Sequence, residues 1–316
     1  MDRKLAIEVI RCLPRGRTLY AYGKDAYALQ LLKYHVGEGK SIAAIKRSDF
    51  ARLLNKPPVK QLLAGCGAKR LSAQDIDGVY SAENELFSLS LDLWEGNDDW
   101  SQTSRRGWNL VLQLNFCNRH NHCYREWVKP DERQILNGDY HPVFRRHKAR
   151  YFRETLAWAR LDIDFDRNEC LIEEIQSDWV REVDYLLADA HYALKLKRDD
   201  LIWWPVKGRL GDIIKYCEFM NRAYKPIWAE AMLSATLHFI KTELGLNRVC
   251  YHSARSGAQV KNMRGSYPPR SLYSQLPRAF CFRETLNAPE FLLNDARYRR
   301  LQRKIKQVHW HELNLA

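Results

Sequence analysis

Segments in which hydrophobic and polar residues alternate define the middle of the chain. In the segment 85–93, every second residue from Phe87 onward is Phe or Leu, which predicts a half-buried strand. After a polar turn region at 97–104, Leu or Phe again occupies every second position from Leu110 to Phe116. Together the two segments predict a long antiparallel hairpin.

A second hairpin is predicted between Ala157 and Trp179. Residues 157–163 alternate, the cluster Asp166–Asn168 favours a turn, and a second run reads LIEEIQSDW at 171–179. At a period of two, one face of this run carries Ile172, Glu174, Gln176 and Asp178. The opposite face carries Leu171, Glu173, Ile175 and Ser177. In a central strand these carboxylates need partners or a ligand, because burying an unpaired charge is costly.

The remaining patterns are mainly helical. Residues 1–82 predict short helices broken by Gly and Pro, and a long helix is predicted from about Tyr224, with Pro226 in its first turn, to Leu244. Two further strands are predicted at 247–252 and 279–282, and a basic helix at 297–306. We therefore expect an α+β fold with a mixed, mostly antiparallel sheet. Its organisation is a helical region at 1–82, an α+β domain at 83–285 and a basic C-terminal helix at 286–316.

Composition narrows the classes of protein. No apolar run of the 316 residues approaches the length of a membrane span, and the N-terminus lacks the pattern of a secretion signal, so we expect a cytoplasmic protein without membrane contact. The eight scattered cysteines favour reduced thiols over disulfides. A net charge of +13 points to a polyanionic partner, most commonly DNA or RNA. Solubility alone is the alternative explanation, and the oligomeric state is left open.

The segment 124–153 mixes cations with aromatic residues. Arg145 and Arg146 belong to a run of basic residues there, and Trp127, Tyr140 and Tyr151 are interleaved with it. Such a mixture suits phosphate contact with base stacking, so we predict nucleic-acid binding. Just before it, Cys and His residues cluster at 117–123, but structural zinc sites usually join two separated ligand pairs, and we predict no metal site.

The order of predicted elements resembles the GNAT acyltransferase fold. Over 85–282 the order is four strands in hairpins, a helix, a strand, a short helical piece and a last strand. The resemblance implies acyl-CoA between the fourth strand, 171–178, and the fifth, 248–252, and implies that Tyr273 acts as a general acid. No glycine-rich pyrophosphate loop follows Asp178, which departs from the family pattern.

A more local resemblance concerns the motif at 172–179. It is similar to a module of large polyvalent proteins of phages and plasmids, in which a Trp-containing helix follows, as at 228–233, and then a segment with Tyr and Leu-Pro, as at 272–277. This resemblance implies a mobile-element or phage-defence context and a polar site.

These patterns lead to a hypothesis for a transferase that modifies a nucleic acid or its aminoacyl adduct. Glu174 or Asp178 would deprotonate the attacking amine with help from His252, and Tyr273 would protonate the leaving group. The predicted substrate-binding residues are Glu173, Gln176, Ser177, Trp179, Arg145 and Arg146.

Three other interpretations stay open at this stage. The carboxylates can belong to a structural network with arginines such as Arg160. The chain can be a non-catalytic nucleic-acid-binding protein, in which the 124–153 segment and the basic tail make the contacts. Clustered carboxylates can also hold the divalent metal of a nuclease.

Overall fold

The structure is a computed structural model of the chain, and its fold is α+β as expected. It describes residues 1–12, 18–66, 69–79, 84–96, 102–130, 135–137, 154–201, 204–261, 263, 269–305 and 307–316.

An eight-stranded sheet forms the centre of the described part, in the order β1-β4-β5-β6-β7-β8-β10-β9. In chain order, the strands are β1 (Thr18–Tyr22), β2 (Lys40–Ser41), β3 (Arg70–Leu71), β4 (Glu85–Glu95), β5 (Trp108–Asn115), β6 (Thr155–Asp164), β7 (Glu169–Gln176), β8 (Arg248–His252), β9 (Arg283–Thr285) and β10 (Trp310–Asn314). Strands β2 and β3 pair separately. Within the large sheet β7 and β8 are parallel, and all other neighbours are antiparallel.

Helices flank this sheet. They are α1 (Arg3–Cys12), α2 (Tyr27–Val36), α3 (Ile42–Lys46), α4 (Pro57–Cys66), α5 (Ala73–Asp77), α6 (Asn118–Cys123), α7 (Asp178–Lys195), α8 (Leu210–Ala223), α9 (Trp228–His238), α10 (Gly257–Val260), α11 (Leu276–Ala279), α12 (Glu290–Leu293) and α13 (Ala296–Gln302). A 3₁₀ helix covers Asp49–Asn55, and π-helical turns cover Tyr124–Val128, Phe239–Glu243 and Ser271–Gln275.

The strongest sequence patterns are confirmed. Both predicted hairpins are present, as β4 with β5 and β6 with β7. The predicted long helix is present as α9 with its π-helical continuation to Glu243, and β8 comes next. It begins at Trp228, so Pro226 lies in the turn before the helix and not in its first turn. Hydrophobic periodicity located these elements because each of them buries one regular face or stripe.

The N-terminal region contributes a strand in addition to its helices. Strand β1 pairs antiparallel with β4, with Tyr20 opposite Phe87, and forms one edge of the sheet. The helices expected in 1–82 are present, but the strands β1, β2 and β3 were not predicted. Pairing with β4 decides the conformation of β1, and no local pattern shows that pairing.

The C-terminal part differs from the prediction in two places. Residues 279–282 end α11 and turn, and the strand β9 begins later, at Arg283. Pro277 lies in the first turn of α11, where its fixed φ favours a helix. The segment 286–316 is not one basic helix, because α13 ends at Gln302 and the chain returns as β10 between β8 and β9.

The two faces of the sheet have different coverings. Ile172, Ile175 and Tyr251 belong to the large hydrophobic core, which also contains residues of α2, α7, α8 and α9. Leu171 and Cys250 point to the other face, where a smaller cluster includes Phe291, Tyr298 and Trp310.

Candidate functional site

A β-bulge lies in the middle of the EEIQSDW motif. In the pairing of β6 with β7, Leu161 is opposite Ile172 and Arg160 is opposite Glu174, so Glu173 is an extra residue in β7. Ile172 and Ile175 both face the large core. Because the bulge breaks the period of two, Glu173 and Glu174 point to the same face, and the predicted assignment of these two residues to opposite faces was wrong.

The parallel strands β7 and β8 part at the same position. Their pairing runs from Glu169 opposite Arg248 to Ile172 opposite Tyr251. Strand β8 ends at His252, whereas β7 continues to Gln176. The bulged carboxylates therefore lie where the edge of β7 loses its neighbour.

Glu173 binds His252 and Ser104 in a buried cluster. Its Oε2 atom lies 3.0 Å from His252 Nε2 and accepts a hydrogen bond from Ser104 Oγ at 3.0 Å. Its Oε1 atom accepts from the backbone N–H of Ser104 at 2.9 Å. Burial alone raises the pKa of Glu173, but these donors outweigh burial and hold the pKa at about 2. Glu173 is therefore an anion at neutral pH.

These contacts fix the tautomer of His252. Burial lowers the pKa of His252, and the hydrogen bond to Glu173 offsets this in part, so the ring is neutral at pH 7. An ionised carboxylate only accepts hydrogen bonds, so Nε2 carries the proton and Nδ1 has the free electron pair. Ser104 Oγ lies 3.0 Å from the protonated Nε2, which cannot take its proton. The cluster is therefore not a serine nucleophile with its base.

Glu174 binds two cations. It pairs with Arg160, whose guanidinium lies over the ring of Trp94 at 4.5 Å, and its Oε2 accepts from Lys261 Nζ at 2.7 Å. Burial raises the pKa of Glu174, but Arg160 and Lys261 together hold it below its ordinary value. A carboxylate with a lowered pKa is a weak base, so this arrangement favours the network interpretation of Glu174 over the predicted catalytic role.

Lys261 closes the place where β7 and β8 part. Its Nζ also donates to the backbone O of Glu173 at 3.1 Å, and its side chain is completely buried. The short helix α10 places it there, and Gly257 lets α10 approach, because a Cβ at this position would lie 3.0 Å from His252 Cβ. Sequence reasoning missed Lys261 and Ser104, since neither belongs to a periodic segment or to a motif.

The residues after the bulge have separate surroundings. Ser177 Oγ caps α7 by accepting from the N–H of Val180 at 3.2 Å and donates to Leu156 O at 2.6 Å. Asp178 Oδ1 accepts from Gln176 Nε2 and from Arg181 Nη2, each at 2.8 Å. Gln176 and Asp178 are therefore held against each other at the start of α7.

Trp179 belongs to a buried aromatic cluster. Its Nε1 donates to the hydroxyl of Tyr216 at 2.8 Å, and that hydroxyl lies 2.9 Å from His120 Nε2. Burial lowers the pKa of His120 to about 3, so this histidine is neutral. The structure therefore gives Trp179 a packing role, and it does not place Trp179 with Glu173.

Another buried carboxylate, Glu154, lies close to this aromatic cluster. Within the part of the chain that the structure describes, Glu154 Oε2 and the hydroxyl of Tyr124 have no hydrogen-bond partner. Burial raises the pKa of Glu154 to about 7, and Arg125 offsets this only in part. Unlike Glu173, this carboxylate is close to half protonated at neutral pH.

Tyr273 lies on the side of the large core. Its ring centroid is 5.3 Å from that of Tyr251, and Glu174 is near enough to affect it electrostatically. Burial raises the pKa of Tyr273 well above its ordinary value. The hydroxyl of Tyr251 is buried and has no hydrogen-bond partner among the described residues.

The remaining predictions concern Arg145 and Arg146, a metal site and a membrane-spanning helix. Arg145 and Arg146 lie outside the described residues. Among the residues that are described, no group of three or more His, Cys, Asp or Glu side chains is placed to hold a metal ion. No described helix combines the length and hydrophobicity that a membrane crossing requires.

Charge is divided unevenly between interior and surface. Among the described residues, seven carboxylate side chains are buried: Glu154, Asp162, Glu169, Glu173, Glu174, Asp178 and Asp189. The buried cationic groups of the same set are the side chains of Arg160 and Lys261 and the N-terminal ammonium of Met1. Three of the seven carboxylates also pair with arginines that are not buried: Asp162 with Arg105, Glu169 with Arg248 and Asp178 with Arg181.

No protein-family model matches this chain, and comparison with curated proteins and with solved structures gives no match. Fold and site together define an α+β protein with a buried acid–base cluster at a bulged strand.

Proposed function

We propose that this protein binds nucleic acid and that its buried polar cluster stabilises the sheet. The observation that carries the proposal is the net charge of +13, together with the burial of seven carboxylates among the described residues. A basic protein attracts phosphate groups of either DNA or RNA. On α13, for example, Arg299 and Arg300 are exposed and form no ion pair with a described residue.

The closed cluster supports a binding role. Glu173, Glu174 and Lys261 are nearly inaccessible to solvent and satisfy one another. A substrate would have to displace a completely buried lysine to reach Glu174. Breaking a buried ion pair costs about 3–5 kcal/mol, which opposes such a displacement.

Salt-dependent binding to labelled oligonucleotides tests the proposal. We expect fluorescence anisotropy to show binding to single-stranded and duplex oligonucleotides of unrelated sequence. The logarithm of the affinity falls with the logarithm of salt concentration by about 0.7 per phosphate contacted on a single strand. Absence of binding at low salt and micromolar protein would contradict the proposal.

A second candidate function is a GNAT-like transferase acting on a nucleic acid or its aminoacyl adduct. The specific observation that favours it is the bulge in β7 at the point where two parallel strands part, beside His252. Bulges often re-aim side chains next to active sites. His252 Nδ1, with its free electron pair, would accept the proton of the attacking amine, and Glu173 would hold the ring.

Acyl-CoA does not fit this place in the manner that the resemblance implies. Lys261 Nζ already occupies the backbone O of Glu173 at the edge of β7. At the start of α7, the Ser177 side chain caps the helix, and no glycine-rich loop follows Asp178. The transferase candidate therefore requires another acyl donor.

Variants at His252 test the transferase candidate. Protein incubated with total RNA and a small-molecule cell extract would produce a modified nucleoside, detected by mass spectrometry after digestion. We expect His252→Asn to abolish this product and Arg299→Ala, a surface control, to retain it. If wild-type protein forms no product, or if His252→Asn forms as much, the candidate is wrong.

A further inference from the structure

An open groove lies between the N-terminal helices and the turn after α11. Its volume is about 360 Å³, and its walls include Asp49, Arg52, Cys281, Phe282 and Arg283. It lies in a different part of the chain from the buried Glu173 and Glu174 clusters. The groove therefore needs an explanation of its own.

Two exposed arginines line this groove, and each makes one contact with a described residue. Arg52 Nη1 donates to the backbone O of Arg278 at 2.6 Å, and Arg283 forms an ion pair with Asp49. A guanidinium has five N–H donors, so each of these contacts leaves further donors for a ligand. A guanidinium that is already oriented loses less conformational freedom when it binds a phosphate.

The turn that forms the opposite wall has an unusual backbone. Cys281 has φ of 64°, in the left-handed region that favours glycine. Its N–H bonds to Arg278 O at 3.2 Å, and the N–H of Phe282 bonds to Pro277 O at 3.0 Å. This is the capping motif in which glycine normally follows the helix. The motif presents the Arg278 carbonyl that orients Arg52.

The groove is cationic and chemically inert. Asp49 is its acidic wall residue, and it is paired with Arg283, which leaves Arg52 unneutralised. The next acid, Glu284, pairs instead with Arg255 at 3.5 Å and with His309 at 3.0 Å. Burial raises the pKa of the Cys281 thiol to about 12, so the thiolate nucleophile is absent at neutral pH. These properties suit binding of an anion without a reaction.

We infer that this groove contacts the phosphodiester backbone of the bound nucleic acid through Arg52 and Arg283. The inference rests on the proposed function and assigns a site to it. Arginine forms two parallel hydrogen bonds to a phosphate, and these charge-assisted bonds are among the stronger ones in proteins.

Paired variants test this site. We expect Arg52→Ala/Arg283→Ala to lower oligonucleotide affinity about tenfold and to reduce the salt slope by up to about two contacts. The control Lys195→Ala/Lys197→Ala removes the same charge from the exposed C-terminal end of α7 and should change the affinity less than about threefold. Equal losses of oligonucleotide affinity in both double variants would show a general effect of charge. That result would contradict a phosphate-binding site at the groove.

A charge-preserving variant tests whether the paired hydrogen bonds of the guanidinium matter for binding. Arg52→Lys/Arg283→Lys keeps both charges but loses the planar donor pairs, so we expect an affinity between those of the wild type and the alanine variant. Wild-type affinity in the lysine variant would show that paired hydrogen bonds from Arg52 and Arg283 to phosphate do not contribute to binding.

Chemical protection separates failure of this site from failure of the proposed function. Tripolyphosphate should protect Arg52 and Arg283, but not the exposed Arg222 of α8, from modification by phenylglyoxal, as read by mass spectrometry. Protection without oligonucleotide binding would keep a phosphate site and refute the nucleic-acid function. Oligonucleotide binding without protection would refute the site alone.

Discussion

Buried carboxylates in this protein differ in charge because their partners differ. Glu173 accepts three hydrogen bonds, and Glu174 contacts two cations, so both have lowered pKa values despite burial. Glu154 has a raised pKa, because burial is not offset by a hydrogen bond to Oε2 within the described part. The sequence shows the three glutamates but not these partners.

Glu154 should make stability fall as pH rises. Its pKa is about 7 in the folded protein and 4.5 ordinarily, so folding favours the protonated form. Below pH 4.5 both states are protonated and there is no penalty; through the folded pKa the penalty grows to about 3 kcal/mol. We expect Glu154→Gln to reduce the loss of unfolding free energy between pH 5 and pH 8, measured by urea denaturation.

The exposed Glu38 supplies the control. Glu38→Gln should leave the pH dependence of the wild type unchanged, because an exposed carboxylate is hydrated in both states. If Glu154→Gln follows the same pH curve as the wild type, Glu154 is not a neutral buried acid.

At the level of elements, periodicity predicted the two hairpins and α9 but not the arrangement at their ends. The bulge at Glu173 breaks the period from which faces are assigned. Lys261 reaches Glu173 and Glu174 from 87 or more residues away, so no local pattern connects them. The candidate residues Glu173, Glu174 and His252 were found by their polar chemistry, whereas their partners depend on tertiary packing.

The contact of α10 with β7 should contribute strongly to stability. Lys261→Met removes one of the two cations at Glu174 and leaves a partly compensated buried charge. We expect a loss of about 3 kcal/mol in the free energy of unfolding, measured by urea denaturation.

A double variant supplies the comparison for this prediction. Lys261→Met/Glu174→Gln removes the carboxylate charge as well, and its loss should be smaller than the sum of the single losses. Unchanged stability in Lys261→Met would mean that the lysine does not anchor α10.

For the whole molecule, composition indicated a basic protein, and the structure shows which of the described charged residues are buried. The net charge of +13 follows from the sequence, but the burial of carboxylates depends on the sheet. Strands β1 and β10 escaped prediction because they lie in segments that were assigned to helices, and their pairing depends on distant partners. An α+β fold was predictable from element types, whereas the full strand order was not.

The position of β10 between β8 and β9 has a consequence for biosynthesis. The ribosome makes both neighbours before β10, and in the described sheet β9 joins through β10. During translation the edge of β8 that pairs with β10 is therefore unpaired until β10 has been synthesised. Unpaired strand edges are sites of association between nascent chains. We therefore expect this end of the sheet to be open to such association until β10 has been made.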